Sequence, residues 1–199
     1  MPSLQALTLL NVNPVAPKEI NANAFLHEIA STSSKLRQLS VSKWPTFPVI
    51  RLTHFCWAYL PSTGVPTAEE FIHFLRASPQ LEELVVTDSA PRYSKHSLAN
   101  TRVSLVNMRH LRFACMKPKH VARMLSMIEI PLGVTVRAWD VWWDWHNDET
   151  VDLGNCLPND LTGLPSLRNM TKVRCTHREG KHLQLSATGG GTALSLIHI

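Results

Sequence analysis

The stretch FIHFLRASPQLEELVV, residues 71–86, carries two periodicities back to back. In the first half Phe71, Phe74 and Leu75 fall at i, i+3 and i+4, the spacing of one helical face. In the second half Leu81, Leu84 and Val86 follow apolar-x-x-apolar-x-apolar, which puts Leu84 and Val86 on one face of a short strand. Pro79 has no N–H for a helix and biases Ser78 away from helical angles, so the change of period falls at Ser78-Pro79. Upstream, Thr67 with Glu70 three residues later fits a capping box and sets the start of the helix.

The strand pattern recurs along the chain. It reads Leu4-Leu7-Leu9, Leu36-Leu39-Val41, Leu52-Phe55-Trp57, Leu81-Leu84-Val86 and Met108-Leu111-Phe113. A weaker copy is Met170-Val173-Cys175, and Val134 with Val136 reads as the last two positions of another. A single short strand cannot bury its apolar face alone, whereas parallel neighbours stacked side by side bury a continuous core. Parallel strands need crossovers, and helices usually supply them. Helical stripes lie in the gaps: Phe25, Leu26 and Ile29; Phe71, Phe74 and Leu75; and Val121, Met124, Leu125 and Ile128, with Pro118 in a first turn and an end near Pro131. The starts at 4, 36, 52, 81 and 108 are spaced by 32, 16, 29 and 27 residues, so the unit from Leu36 to Leu52 has no room for a helix and crosses by a loop.

The 199 residues are 44% hydrophobic and 18% charged, a globular composition. No apolar run reaches bilayer length, and the N-terminus lacks signal-peptide features, so no membrane is expected. Cys56, Cys115, Cys156 and Cys175 form no C-x-x-C pair and read as reduced thiols of an intracellular protein, cytoplasmic or nuclear.

The block FIHFLRASPQLEELVV, with LTHFCW before it and MRHLRF after it, resembles the leucine-rich-repeat region of fungal F-box proteins. There F-L-x-x-S-P-x-L-E-E-L is frequent, as is a later strand block ending L-x-x-M-T-x-V. The resemblance covers roughly Leu4 to Leu196. It implies an α/β fold, a leucine-rich-repeat-like solenoid forming one array over residues 1–199, divergent and truncated at both ends. It also implies the substrate-recognition arm of a cullin-type ubiquitin ligase. Two departures stand out. The usual repeat places Asn or Cys three residues after the last strand leucine, and here those positions are Val12, Trp44, Leu60, Ser89 and Met116. The F-box itself is absent, and neither end carries a recognisable cap; TALSLIHI reads as a strand cut in mid-repeat. The expectation is a piece of a longer protein that binds a protein target but reaches the ligase adaptor only through an F-box outside this chain.

No catalytic motif is present: no G-x-S-x-G, no H-E-x-x-H, no phosphate-binding glycine loop. Gly189-Gly190-Gly191 lacks the Lys-Ser/Thr of a phosphate loop and reads as a link between strands. His54 and His110 have no second ligand at metal spacing, and His146 between Asp144 and Asp148 is the one weak metal cluster. No enzymatic activity, cofactor or metal is expected.

Binding then falls to surfaces. Residues alternating with the core positions, Thr8, Ser40, Cys56, Val85 and Arg112, share the opposite sheet face, as do Leu10, Ser42, Ala58, Thr87 and Ala114 two residues on. From these, Ser40, Ser42, Val85, Thr87 and Arg112 are candidate partner contacts. A second candidate is WDVWWDWHNDE, residues 139–149, either an acidic aromatic loop with Trp142, Asp144 and Trp145 as contacts, or a strand with Trp139, Val141, Trp143 and Trp145 facing inward. The charges are segregated. Residues 90–128 carry Arg92, Lys95, Arg102, Arg109, Arg112, Lys117, Lys119 and Arg123 with no acid, whereas residues 138–167 carry six acids and no Lys or Arg. The basic stretch raises the alternative of a nucleic-acid-binding surface. Against it stand the few aromatic residues and the expected split of these cations between strand and helix faces.

Overall fold

The apolar-x-x-apolar-x-apolar segments form strands that pair in parallel. The computed structural model describes residues 4–9, 35–42, 44–45, 51–58, 65–93, 102–139 and 156–165, and the backbone of 172–178, 182–189 and 192–198. Its strands are β1 (Ala6–Leu9), β2 (Gln38–Val41), β3 (His54–Ala58), β4 (Glu83–Thr87), β5 (Val103–Ser104), β6 (His110–Ala114), β7 (Ile128–Glu129), β8 (Thr135–Trp139), β9 (Lys172–Arg178), β10 (His182–Gly189) and β11 (Thr192–His198). Two helices, α1 (Ala68–Arg76) and α2 (Pro118–Ser126), carry the crossovers from β3 to β4 and from β6 toward β8. The main sheet has the order β1-β2-β3-β4-β6-β8-β11-β10-β9. From β1 to β8 every neighbour is parallel, and β11 adds parallel to β8. The fold is α/β, built on a sheet whose six strands from β1 to β8 are parallel.

The register repeats as regularly as the sequence does. Leu39, Phe55, Leu84, Leu111 and Val136 align in one row, and Val41, Trp57, Val86, Phe113 and Ala138 in the next. All ten are buried, and both helices pack on them through Phe71, Phe74 and Leu75 and through Val121, Met124 and Leu125. Four strand entries use the same backbone device. The carbonyl of Gln5 accepts from the N–H groups of Arg37 and Gln38 at 2.8 and 3.0 Å. Those of Arg37, Thr53 and Glu82 each accept two successive N–H groups of the following strand at the same distances. At strand exits, Asp88 (φ 49°) and Cys115 (φ 53°) both take the left-handed conformation, and their N–H groups bond to the Ala114 and Trp139 carbonyls.

Helix α1 begins as its sequence predicts. The Thr67 hydroxyl accepts from the Glu70 N–H at 3.2 Å, and the Glu70 carboxylate accepts from the Thr67 N–H at 2.7 Å. The short unit is solved differently. The described part of the crossover from β2 to β3 (Ser42, Trp44, Pro45 and Arg51–Thr53) is non-helical, and Trp44 fills the core beside it. Its ring lies 4.8 Å from Trp57, 5.0 Å from Phe74, 5.6 Å from Phe71 and 5.8 Å from Phe55. A position that departs from the Asn/Cys ladder thus contributes apolar area where a helix has no room.

Several expectations are corrected. Val136 and Ala138, not Val134 and Val136, take the last two strand positions, because Val136 registers with Leu111. Ile128 is buried but leaves the α2 stripe, since the helix ends at Ser126 and Ile128 opens β7, which pairs with β5 in a separate two-stranded sheet. The weak copy around Val173 is no parallel repeat: β9 runs antiparallel to β10 at the sheet edge. The C-terminal strand is not an open edge, because β11 lies between β8 and β10. Gly189 ends β10 opposite Thr192 of β11, so the glycine run does join two strands. Trp139 has the parity of Thr135 and Arg137 and sits half-buried on the face opposite the core, not inward. The stripe Phe25, Leu26, Ile29 and the segment carrying Trp142, Asp144, Trp145 and His146 lie outside the described residues.

Candidate functional site

The helices cover one face of the sheet, and alternation sends the residues between core positions to the other. One registered row on this outer face is Thr8, Ser40, Cys56, Val85, Arg112 and Arg137. Thr8 and Arg137 are exposed and the four between them half-buried. Ser40, Val85 and Arg112 therefore come together as the sequence predicts. The second expected row is mixed. Ser42 is 7% exposed and Ala114 3%, whereas Ala58 and Thr87 are half-buried like Ser40 and Val85. Ser42 in particular presents no surface to a partner.

The open neighbouring row lies toward the strand starts: Gln38, His54, Glu83, His110 and Thr135. Its residues share the parity of Ser40 and Val85, two positions back instead of two positions on, and that parity is the signal that could have found them. Glu83 stands at the centre. Its carboxylate lies 3.2 Å from Nη1 of Arg112 on β6 and 3.8 Å from Nε2 of His54 on β3. The Thr53 hydroxyl donates to the Arg37 carbonyl at 3.2 Å and meets His54 Nδ1 at 2.8 Å, which fixes the imidazole. Between Glu83 and β2 lies a shallow hollow of about 220 Å³, lined by Ser40, His54, Cys56, Glu83 and Val85 among others.

Burial raises the Cys56 thiol above its ordinary value, and the nearby Glu83 carboxylate raises it further, against a hydrogen bond with Ser40. A nucleophilic cysteine requires the opposite shift. Cys56 is a free thiol. Among the described residues no group of three or more His, Cys, Asp or Glu is placed to hold a metal ion, and no helix is long and apolar enough to cross a membrane.

The basic residues of 90–128 are divided between surfaces. Arg112 is on the outer sheet face, whereas Lys117, Lys119 and Arg123 belong to α2 or its cap on the core side. Arg109 pairs with Glu82 at 3.5 Å, and the Arg123 guanidinium stands 5.0 Å from the Tyr93 ring centre. Arg102 bonds to Thr162 at 2.6 Å and to the Asp160 carboxylate, joining the basic stretch to an acid of the following one. That link holds residues 156–165 against the small sheet, where the Ile130 N–H bonds to the Gly163 carbonyl at 3.0 Å. Comparison with family models, with curated proteins and with solved structures finds no match.

Proposed function

We propose that this chain is a non-enzymatic protein-interaction module, a leucine-rich-repeat-like solenoid whose outer strand face recognises a protein target. The supporting observation is the uniform register: six parallel strands place Thr8, Ser40, Cys56, Val85, Arg112 and Arg137 in one row opposite the helices. Repeat arrays bind through extended surfaces of this kind. The repeated carbonyl device at four strand entries supports the repeat reading independently of side chains. The biological role follows the resemblance in residues 71–86: the substrate-recognition repeats of an F-box-type ubiquitin-ligase adaptor, with the adaptor contact made by an F-box elsewhere.

A photo-crosslinking amino acid at Val85 tests the face, with the same group at His73 on the exposed side of α1 as control. Adducts with a target protein are expected from position 85 and not from position 73; the reverse pattern refutes the reading. The complete transcript tests the role. An F-box encoded upstream of Leu4 supports the ligase assignment, and an unrelated domain there overturns it. The nucleic-acid alternative is disfavoured by the division of residues 90–128 between two faces and by the pairing of Arg102, Arg109 and Arg112 with acids.

A further inference from the structure

The Glu83 carboxylate is only half used. Its Oε1 lies 3.2 Å from Nη1 of Arg112, whereas its Oε2 faces Nε2 of His54 at 3.8 Å, beyond hydrogen-bond range. Thr53 decides which nitrogen of that imidazole carries the proton. The Thr53 hydroxyl gives its one proton to the Arg37 carbonyl, so the 2.8 Å contact with His54 Nδ1 is an N–H donated to the Thr53 oxygen. In the neutral ring this leaves Nε2 as an acceptor. Two acceptors therefore face each other, and a donor nitrogen about 2.9 Å from both closes the triangle. The gap opens on the hollow of about 220 Å³ between β4 and β2, and the His54 side chain is 41% exposed there. Among the described residues lining the hollow, Glu83 is the one acid and none is Lys or Arg. Its charge is felt inside. The Cys56 thiol is raised first by burial and, against a hydrogen bond with Ser40, also by the Glu83 carboxylate, although Arg112 stands on that carboxylate's other side.

We propose that this hollow receives the ammonium group of a lysine side chain of the target protein, held by N–H bonds to Glu83 Oε2 and His54 Nε2. This rests on the reading of the outer strand face as a protein-binding surface and names the residue it selects. Charge complementarity calls for a cation, and the acceptor geometry chooses between the two cationic side chains. An arginine suits the gap less: its planar fork pairs with both oxygens of one carboxylate, and Arg112 already holds Oε1. An ammonium is compact and directs three donors, so it serves one carboxylate oxygen and one imidazole nitrogen together. Val85, half-buried in the lining, offers apolar contact to the lysine stem.

The test uses the full chain and NMR titration with three probes: N-acetyl-lysine methylamide, its arginine counterpart, and its norleucine counterpart, which keeps an apolar stem and lacks the charge. The readout is the His54 ring signal, assigned by its loss in His54→Gln. A saturable shift is expected with the lysine probe, at an affinity at least about tenfold above that of the norleucine probe and about threefold above that of the arginine probe. Glu83→Gln should weaken the lysine probe about fivefold, and Glu82→Gln, at the neighbouring carboxylate that pairs with Arg109, should change it less than about twofold. Arg112→Gln should tighten it about twofold, because it removes the competing cation from Glu83; a substitution that merely disturbed the sheet would not. No saturable shift, equal affinity for the norleucine probe, a loss from Arg112→Gln, or a loss from Glu82→Gln equal to that from Glu83→Gln overturns the proposal. Tighter binding of the arginine probe overturns the lysine assignment. If the lysine probe fails while Val85 still crosslinks to a target, the ammonium assignment falls and the interaction face stands; if Val85 crosslinks to nothing, the face reading itself falls.

Discussion

Replacing Trp44 by alanine should remove a large share of the protein's stability. Trp44 is 8% exposed and its ring contacts Phe55, Trp57, Phe71 and Phe74 within 6 Å of their centres. A tryptophan buried to this degree takes about 200 Å² out of water. At about 25 cal/mol/Å² that is about 5 kcal/mol. A compact denatured chain already hides part of this area, which lowers the figure to about 3–4 kcal/mol. Incomplete collapse of the surrounding rings leaves a cavity and keeps the cost in the range of about 3–5 kcal/mol seen for such truncations. The edge-on contacts with Phe55, Trp57 and Phe74 add to it in the same direction.

Urea unfolding followed by far-UV circular dichroism reads the effect without relying on any one tryptophan's emission. With a slope of about 2 kcal/mol/M, the midpoint of Trp44→Ala should fall by about 1.5–2.5 M. Trp44→Phe keeps most of the apolar area and should fall by less than half as much. Val106→Ala, at a side chain 66% exposed, should leave the midpoint within about 0.25 M of the parent. A shift below about 0.5 M for Trp44→Ala would refute the claim that this ring does the work of a helix in the short unit.

Gly163→Ala should loosen residues 156–165, because a Cβ there meets the Ile128 carbonyl at 3.0 Å and Arg102 Nη1 at 3.0 Å, and the backbone oxygen cannot step aside. A stability loss of about 1–3 kcal/mol in denaturant titration is expected. Acid should release the same segment. Hydrogen bonds from Thr162 and Arg102 hold the Asp160 carboxyl below its ordinary range, so its contribution is present above the unfolded-state pKa and is lost as pH falls through the lower folded value. Hydrogen-exchange protection of the Ile130 N–H, which reports on the Gly163 contact, should therefore drop below about pH 4, and Arg102→Ala should flatten that pH dependence.

The core rows were legible because a period of two and a constant strand offset leave little freedom: once Leu84 and Val86 face inward, register carries Leu111 and Phe113 to the same face. What periodicity does not encode is strand direction. Met170-Val173-Cys175 has the spacing of the parallel strands, yet β9 runs antiparallel to β10. The reason lies in the links. Only residues 179–181 join β9 to β10, and only residues 190–191 join β10 to β11. Links that short permit a hairpin and exclude a parallel crossover, which needs a dozen residues or more. Consensus comparison marks Trp44 only as a departure from Asn or Cys; a one-dimensional pattern does not show that its ring packs against Phe55, Trp57, Phe71 and Phe74. The charge pattern shows the same limit from the other side. Along the chain the basic residues cluster at 90–128, but the sheet divides that cluster between its two faces. Register then brings Arg112 of β6 beside Arg137 of β8, which lies outside that cluster in the sequence. That juxtaposition is a product of topology, and no short window of the sequence contains it.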